Sequence, residues 1–278
     1  MAFRLYEGAD HTSVYAKYRS VWTTDITDRV LTYLQEKFPA PYMYDHAIDV
    51  GCGSGQFTHL LAPHFKQVTG IDISANQISA AIKGNDKKNI TYKVGSGECF
   101  SIADQSVELV TCVQAAHWID MDKFYAEAYR VLKPNGCVAL ISFTFPEFGA
   151  HPQAKLLTKP LGNYYDKLWE TSCPAEMINR LKHVYNRYPD EIFACRPPLE
   201  DHLRDETMTI VHDMTVEQVV GFASSSSGYV KYVKKYSSSD ILETLQKNIL
   251  KTLGEDATLD TVVRVTFPVF ILFGRKPG

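Results

Sequence analysis

The sequence predicts a three-layer α/β/α fold, in which helices cover both faces of a mostly parallel β-sheet. The main observation is that five short β-like runs alternate with helical patterns between residues 47 and 143, as is typical of a parallel sheet. A second observation is that these runs are mostly apolar, as strands covered on both faces are. The third is a length of 278 residues with 45% hydrophobic residues, which permits one large domain or two small ones.

The predicted elements follow in a regular order up to residue 143. The strands are predicted over 47–50, 67–71, 90–94, 107–113 and 137–143. Helices are predicted from apolar residues at helical spacing over 25–38, 57–64, about 75–83 and 122–132. Ser74 and Gln77 form a candidate capping box for the third of these helices.

The second half of the chain is less regular. Residues 155–188 are polar, rich in Tyr and predicted to be helical. Thr215 and Gln218 form a second candidate capping box. Strands are predicted over 207–212 and 262–273, with a helix over 240–253 before the last strand.

The composition excludes several classes of protein. Lys and Arg number 29 and Asp and Glu number 32, so the formal net charge is −3, whereas a general binder of polyanions needs a basic excess. The six cysteines are scattered without a C-x-x-C pair, which favours reduced thiols over a zinc site or disulfides. Neither a signal peptide nor an apolar run of roughly 20 residues is visible. We therefore expect a cytoplasmic protein without a metal, nucleic-acid or membrane partner.

The strongest local signal is a glycine turn between the first predicted strand and the next helix. Gly51, Gly53 and Gly55 are spaced G-x-G-x-G, and glycine allows the backbone to approach a ligand closely. A dinucleotide fingerprint requires G-x-G-x-x-G, and a P-loop requires Lys followed by Ser or Thr. Gln56-Phe57 satisfies neither pattern.

Two acidic residues follow this turn at the ends of predicted strands. Asp72 lies 17 residues after Gly55, where a carboxylate can accept hydrogen bonds from ribose hydroxyls. The alternative is that Asp72 caps the helix that opens after Ile73. Glu98 follows the third strand and is expected either to meet a purine edge or to be a solvated loop carboxylate.

The segment Asp49–Gly55 resembles the S-adenosyl-L-methionine (AdoMet) binding motif of class I, Rossmann-like methyltransferases. Four further segments agree with that family in the expected order: Asp72, Gly97-Glu98, Gln114–Trp118 and Tyr129–Gly136. The resemblance implies an AdoMet-dependent methyltransferase of the EC 2.1.1 class, with S-adenosyl-L-homocysteine as product. It also implies a seven-stranded sheet, completed by 207–212 and an antiparallel last strand over 262–273. The chain is then a single domain over 1–278, with an N-terminal lid segment over 1–24 and a helical cap over 155–235.

A narrower resemblance points to the trans-aconitate methyltransferase-like branch, which methylates small molecules. It rests on Tyr15–Arg19 and Ala115–Trp118. The branch also has a lid helix that ends in a segment rich in Ser and Trp, and residues 221–227 match it without the Trp. The resemblance implies a small-molecule substrate, with a carboxylic acid, methylated on oxygen, as the leading class.

The resemblance further implies a set of cofactor-binding residues. They are Tyr15, Arg19, Asp49, Gly51, Gly53, Gly55, Asp72, Ile73, Gly97, Glu98 and Gln114. Asp49 is expected to stabilise the turn or to face the amino group of the cofactor, and Gln114 to touch its methionine part. Tyr15 and Arg19 are expected to close over the cofactor, or else to belong to a solvated terminus.

His117 and Trp118 are the candidate substrate residues, because open α/β sheets place ligands at the carboxyl ends of their strands. His117 is expected to orient a substrate or to accept a proton near neutral pH, and the alternative is a histidine packed under a lid. Trp118 is either a packing residue or a ligand contact, since an aromatic face attracts a sulfonium cation.

Three rival functions share these features. An NAD-dependent oxidoreductase also uses an acid like Asp72 for ribose, but the glycine spacing disfavours it. An RNA or protein methyltransferase stays open because Lys231, Lys234 and Lys235 form a local basic patch. A binding protein on a methyltransferase scaffold stays open because a cofactor site does not prove turnover. We expect a monomer that acts on a small molecule.

Overall fold

The computed structural model describes residues 22–39, 43–195, 198–237 and 240–278. Its strands are β1 (Tyr44–Val50), β2 (Phe65–Asp72), β3 (Ile90–Val94), β4 (Val107–Val113), β5 (Leu132–Phe143), β6 (Glu147–Gly149), β7 (Glu200–Asp205), β8 (Thr209–Thr215) and β9 (Val262–Arg275). Its helices are α1 (Thr24–Gln35), α2 (Thr58–Leu61), α3 (Ala75–Gly84), α4 (Met121–Val131), α5 (Thr158–Ser172), α6 (Ala175–Tyr185), α7 (Asp190–Phe193), α8 (Val216–Ser224), α9 (Ser227–Lys235) and α10 (Ile241–Leu253).

The main sheet has the strand order β3-β2-β1-β4-β5-β9. The first five strands are parallel to one another, and β9 is antiparallel to β5. This arrangement confirms the predicted α/β fold class with a Rossmann-like strand order and an antiparallel last strand. The order reverses between β1 and β4, which is where open α/β sheets bind ligands.

The last strand, β9, is long enough to pair with two sets of partners. Its residues 269–275 pair with β5, and residues 271–275 pair with β7, whereas residues 262–268 pair with β8. The described residues therefore form nine strands, not seven. The predicted strand at 207–212 is present as β8, shifted to Thr209–Thr215 and paired with residues 262–268 of β9. The strand that pairs with residues 271–275 of β9 is Glu200–Asp205, which was not predicted. The sequence did not reveal β7 because five of its six residues are polar and four of the six are exposed, as an exposed edge permits.

Both faces of the sheet are buried, which confirms the three-layer architecture. Neighbouring residues of one strand belong to different core clusters. Ala47 and Leu109 belong to the cluster that includes residues of α1, α5 and α10, and Ile48 and Val110 belong to the cluster that includes residues of α4. Alternate side chains of a strand point to opposite faces, so each central strand contributes to both cores. Among the described helices, none combines the length and the apolar character needed to cross a membrane.

The two candidate capping boxes have different outcomes. At α8, Thr215 Oγ1 accepts a hydrogen bond from Gln218 N, and Gln218 Oε1 accepts one from Thr215 N, so the box is complete. At α3, Ser74 Oγ accepts from Gln77 N, but Ser74 N donates to Asp72 Oδ1. The side chain of Gln77 is left out of the cap.

Candidate active site

A cavity of about 470 Å³ lies at the carboxyl ends of β1, β2, β4 and β5. Its volume is in the range of small-molecule and cofactor sites. One side is formed by the glycine turn after β1 and the loops after β2 and β3, and the other by residues after β4 and β5 together with α5, α6 and α8. The position agrees with the switch point of the strand order.

The glycine turn needs glycine for conformation and for packing. Gly51, Gly53 and Gly55 have φ values of +69°, +54° and +88°, which side chains rarely adopt. A Cβ at Gly51 would lie 2.3 Å from the Cβ of Ala115, and one at Gly55 would lie 2.1 Å from the hydroxyl of Tyr92. Gly51 and Gly53 line the cavity, whereas Gly55 packs behind it on Tyr92.

Asp72 ties the glycine turn to the end of β2. Its Oδ2 accepts from Gly53 N at 2.9 Å and its Oδ1 from Ser74 N at 2.8 Å. Burial raises the pKa of the Asp72 carboxyl, and the two backbone hydrogen bonds oppose that rise. Because a carboxylate has about four acceptor positions, Asp72 can still accept hydrogen bonds from a ligand in the cavity. The helix cap itself is Ser74, so the alternative role of Asp72 as the cap does not apply.

Gln77 is a cavity residue that sequence reasoning assigned to a cap and so missed. Gln77 is 3% exposed, its Oε1 has no hydrogen-bond partner among the described residues, and it lines the cavity. The Oε1 atom lies 3.9 Å from where a Cβ of Gly53 would be. A buried acceptor without a partner is costly, so its position beside the turn fits a ligand that donates a hydrogen bond there.

Asp49 links the end of β1 to α2 and to β4. Its carboxylate accepts from Thr58 Oγ1 at 2.6 Å and from Thr111 Oγ1 at 2.8 Å. Burial raises its pKa to about 6. Asp49 does not line the cavity, so of its two expected roles the geometry fits the stabilisation of the turn.

The loop after β3 forms one end of the cavity. Ile73, Gly97 and Glu98 line it. Glu98 Oε1 accepts from Asp120 N at 3.2 Å, and Glu98 Oε2 lies 3.8 Å from Lys123 Nζ. Glu98 is thus a partly exposed carboxylate whose partners are Asp120 and Lys123. It is not a freely solvated loop carboxylate, and both of its oxygens already have a protein partner.

Gln114 lies at the end of β4 in a left-handed conformation, with φ of +53°. Its Oε1 accepts from Ser142 Oγ at 2.7 Å and its Nε2 donates to the Phe143 carbonyl at 3.5 Å. It lines the cavity. Strained backbone of this kind recurs at functional sites.

His117 is buried, with 5% of its surface exposed, yet it lines the cavity. Its Nδ1 lies 2.9 Å from the hydroxyl of Tyr188. Burial, with a contribution from the positive charges of His183 and Arg180, lowers the pKa of His117 to about 3. The imidazole is therefore neutral at pH 7. Trp118 also lines the cavity, with its ring centroid 4.7 Å from that of His117.

The far side of the cavity is formed by residues that the sequence did not single out, together with Phe222 from the predicted lid segment, and we call these residues the distal wall. They are Phe145, Tyr165, Trp169, Arg180, Tyr185 and Phe222. Arg180, on α6, donates to the His117 carbonyl at 3.2 Å and lies 3.5 Å from the exposed Glu176. The other cationic lining residue that the structure describes, Lys123, lies at the opposite end beside Asp120 and Glu98. Arg180 thus brings positive charge to an otherwise aromatic wall.

Tyr15 and Arg19 lie outside the described residues. The other predicted residues fall into two groups. Gly51, Gly53, Asp72, Ile73, Gly97, Glu98, Gln114, His117 and Trp118 line one cavity, and Asp49 and Gly55 lie behind it.

Comparisons with known proteins agree with this arrangement. Residues 48–140 match the family model described as a methyltransferase domain. The chain is 28% identical over 262 residues to a Dictyostelium discoideum protein named as a methyltransferase, which covers 94% of this chain and 92% of that protein. It is 25% identical to the probable S-adenosylmethionine-dependent methyltransferase CRG1 of Saccharomyces cerevisiae, over 82% of this chain and 85% of that protein.

A solved structure supports the same conclusion. It is that of an Anaeromyxobacter dehalogenans protein described as a type II methyltransferase, with a TM-score of 0.69 and 25% identity over 90% of this chain and 96% of that one. The matched domain contains the glycine turn, Asp72 and the segment around His117. The chain is an AdoMet-dependent methyltransferase with a class I, Rossmann-like fold.

Proposed function

We propose that this enzyme methylates a carboxylate oxygen of a small molecule that binds against the distal wall. The observation that carries the proposal is Arg180, which adds a guanidinium to a wall of aromatic rings. A guanidinium matches the planar geometry of a carboxylate, and the rings suit an apolar body. The resemblance of two segments to the trans-aconitate methyltransferase-like branch supports the same substrate class.

The cofactor is proposed to bind along the glycine side of the cavity. Asp72 and Gln77 would accept hydrogen bonds from its ribose, Gly51, Gly53 and Gln114 would contact its methionine part, and the loop with Gly97 would contact its adenine. When bound, AdoMet supplies a methyl group on a sulfonium that already carries the leaving group. The orphaned Oε1 of Gln77 and the free acceptor positions of Asp72 fit such a ligand.

The task of the protein is then to orient the acceptor and to exclude water. A carboxylate is nucleophilic without losing a proton, so no general base is needed, and proximity and orientation supply most of the acceleration. This agrees with His117, whose lowered pKa leaves it a weak base. His117 is proposed to position the acceptor, with Arg180 holding its charge and Trp118 its apolar part.

A labelling experiment tests the substrate class. The enzyme is incubated with methyl-labelled AdoMet and a panel of small carboxylic acids, each beside its primary amide and its alcohol. We expect label in the acids alone, as esters that release labelled methanol in mild base. Base-stable label on nitrogen or sulfur, or label found only in RNA or protein, would contradict the proposal.

A substitution of Arg180 tests whether this residue binds the carboxylate of the substrate. Arg180→Gln removes a charged hydrogen-bond donor, so the KM of the methylated acid should rise about tenfold or more, while AdoMet affinity changes little. Arg264→Gln is the matched control, because Arg264 is an exposed arginine paired with Asp213 on β8. Equal KM values for the two variants would rule out Arg180 as the carboxylate site.

A further inference from the structure

Four consecutive serines lead from α8 into α9, and their hydroxyls have different roles. Ser224 and Ser225 donate to backbone carbonyls of the preceding turn, at 2.7 and 2.6 Å. Ser226 caps α9, because its Oγ accepts from Tyr229 N at 3.3 Å. The hydroxyl of Ser227 has no hydrogen-bond partner within the described residues. Of the four hydroxyls, it is the one that the fold itself does not use.

The Ser227 hydroxyl is open to the cavity. Ser227 is buried, with 5% of its surface exposed, and it lines the cavity together with Ser226 and Gly228. Its Oγ is not one of the sealed polar atoms that lack a partner. A hydroxyl that is neither bonded nor sealed borders accessible space, and for this buried residue that space is the cavity. The hydroxyl can therefore donate to a ligand there.

The first turn of α9 adds two backbone donors beside this hydroxyl. The helix begins at Ser227 and has nine residues. The N–H groups of Tyr229 and Val230 bond to Ser226, whereas those of Ser227 and Gly228 have no partner in the part of the chain that the structure describes. Free N–H groups at a helix N-terminus, together with the helix dipole, favour an anion.

The charges around this turn also favour an anion. The α9 helix carries three lysines and no acidic residue. Among the described residues that line the cavity, the carboxylates are Asp72, which bonds to the glycine turn, and Glu98 and Asp120, which pair with Lys123. None of them belongs to the distal wall or to α9, so an anion at this turn meets no carboxylate of its own wall.

We propose that the N-terminus of α9 is an oxyanion subsite for the acceptor. In it, the Ser227 hydroxyl and the N–H groups of Ser227 and Gly228 bind a carboxylate or phosphate group other than the carboxylate that is methylated. The part that concerns the acceptor rests on the proposed function, because that function assigns the reacting carboxylate to Arg180. It narrows the substrate class from carboxylic acids to acids that carry a second oxyanion.

The first test needs no acceptor. The protein is labelled with ¹⁵N-serine and ¹⁵N-glycine and saturated with S-adenosyl-L-homocysteine, and inorganic phosphate then replaces chloride at constant ionic strength. The amide signals of Ser227 and Gly228, assigned by their absence from Ser227→Ala and Gly228→Ala, should shift and saturate. The Ser224 signal should not, because Ser224 lies within α8. Absence of a saturable shift at Ser227 and Gly228 would overturn the subsite.

Variants of Ser227 show whether this turn itself binds the phosphate. Ser227→Pro removes the hydroxyl and one N–H, and proline suits the first helical position after an extended residue, which Ser226 is, with φ of −72° and ψ of 143°. Phosphate affinity, followed at Gly228, should fall about tenfold or more. Ser227→Ala should weaken binding about threefold, and Ser227→Thr should retain it.

A control variant comes from the same run of serines. Ser224→Ala removes a hydroxyl that bonds to a carbonyl of α8, so it should leave phosphate affinity unchanged. If Ser227→Pro does not fold, Ser227→Ala and Ser227→Thr still decide the question. Wild-type affinity in Ser227→Ala and in Ser227→Pro would overturn the subsite.

The second test compares acceptors. For an acid that the enzyme methylates, three versions are measured, with a second carboxylate, a phosphate or a neutral primary amide at the far end. We expect kcat/KM to favour an anionic version over the amide about tenfold, mainly through KM, in the wild type and in Ser224→Ala. The preference should disappear in Ser227→Pro. The anion with the higher kcat/KM then identifies the group that the subsite holds.

The outcomes separate this inference from the proposed function. Equal kcat/KM values for the anionic and amide versions in the wild type would overturn the second oxyanion while leaving carboxylate methylation intact. A preference that persists in Ser227→Pro would assign the second anion to another place and overturn the subsite. Failure to methylate any acid would instead reject the proposed function, and the serine and glycine signals would still decide whether α9 binds an oxyanion.

Discussion

A single substitution at Gln77 should affect the stability of the folded protein and its affinity for AdoMet in different ways. The buried Oε1 of Gln77 has no hydrogen-bond partner in the part of the chain that the structure describes, so Gln77→Met removes an unsatisfied group and should leave the thermal midpoint unchanged or raise it. The same substitution removes a proposed ribose contact, and the Kd of AdoMet should rise about five- to tenfold. Calorimetric titration measures the affinity, with Gln246→Met on α10 as control. An unchanged Kd would remove Gln77 from the cofactor site.

Asp49 should make folding stability depend on pH. Its folded-state pKa of about 6 lies above the ordinary 3.8, so the folded state keeps a proton that the unfolded state loses. The free energy of unfolding therefore falls as the pH rises between about 4 and 6, by about 3 kcal/mol from this group alone.

The variant Asp49→Asn isolates that contribution. It cannot titrate, so its free energy of unfolding should lack this fall, and the difference between variant and wild type should grow in favour of the variant from pH 4 to pH 7. Urea unfolding at several pH values measures the difference, and the exposed Asp256→Asn should follow the wild type. Parallel pH curves for the wild type and Asp49→Asn would contradict the raised pKa.

At the scale of elements, the complete capping box of α8 should contribute measurably to stability. Thr215→Ala removes the hydroxyl that accepts from Gln218 N, and we expect a loss of about 1 kcal/mol in the free energy of unfolding. Thr252→Ala is the control, because its hydroxyl donates to the Asn248 carbonyl within α10 and caps no helix start. Urea unfolding that gave equal losses for the two variants would argue against the cap.

The two capping boxes show what a local sequence pattern can predict about a helix start and what it cannot. Both have a hydroxyl residue followed three positions later by Gln, and both do begin a helix. At α8 the N–H of Thr215 donates to the Gln218 side chain, so the box closes. At α3, Asp72 takes the N–H of Ser74, which frees Gln77 to face the cavity. The signature predicted the helix start in both cases, but the role of the Gln side chain depended on a neighbour held by β2.

At the scale of the whole molecule, ligand binding should raise the thermal midpoint. AdoMet at about a hundred times its Kd adds about 2.7 kcal/mol to the stability of the folded state, which corresponds to a rise of about 4–5 °C for 278 residues. NAD at the same concentration should give no shift, because the glycine spacing does not match a dinucleotide site. The reverse result, a shift with NAD alone, would restore the oxidoreductase interpretation. In Asp72→Asn the shift with AdoMet should be smaller.

The amino-acid sequence by itself determined the features that depend on residues close together along the chain. The alternation of apolar runs predicted the parallel sheet and its layers, because each strand and helix buries its own side chains. The spacing of Gly51, Gly53 and Gly55, with Asp72, predicted one side of the cavity, because these residues follow directly from strand ends. Their chain order then placed them at one edge of the sheet.

Only the tertiary structure decided what depends on residues far apart in the chain. Arg180 and Tyr188 lie 63 and 71 positions from the His117 that they contact, and no local pattern links them. Pairing with β9 likewise added β7, which the sequence did not predict, to the sheet that also contains the predicted strand β8. The cofactor side is built from turns that the sequence specifies locally. The acceptor side is built where separate elements pack, so its charge and its hydrogen-bond donors emerge only when the chain has folded.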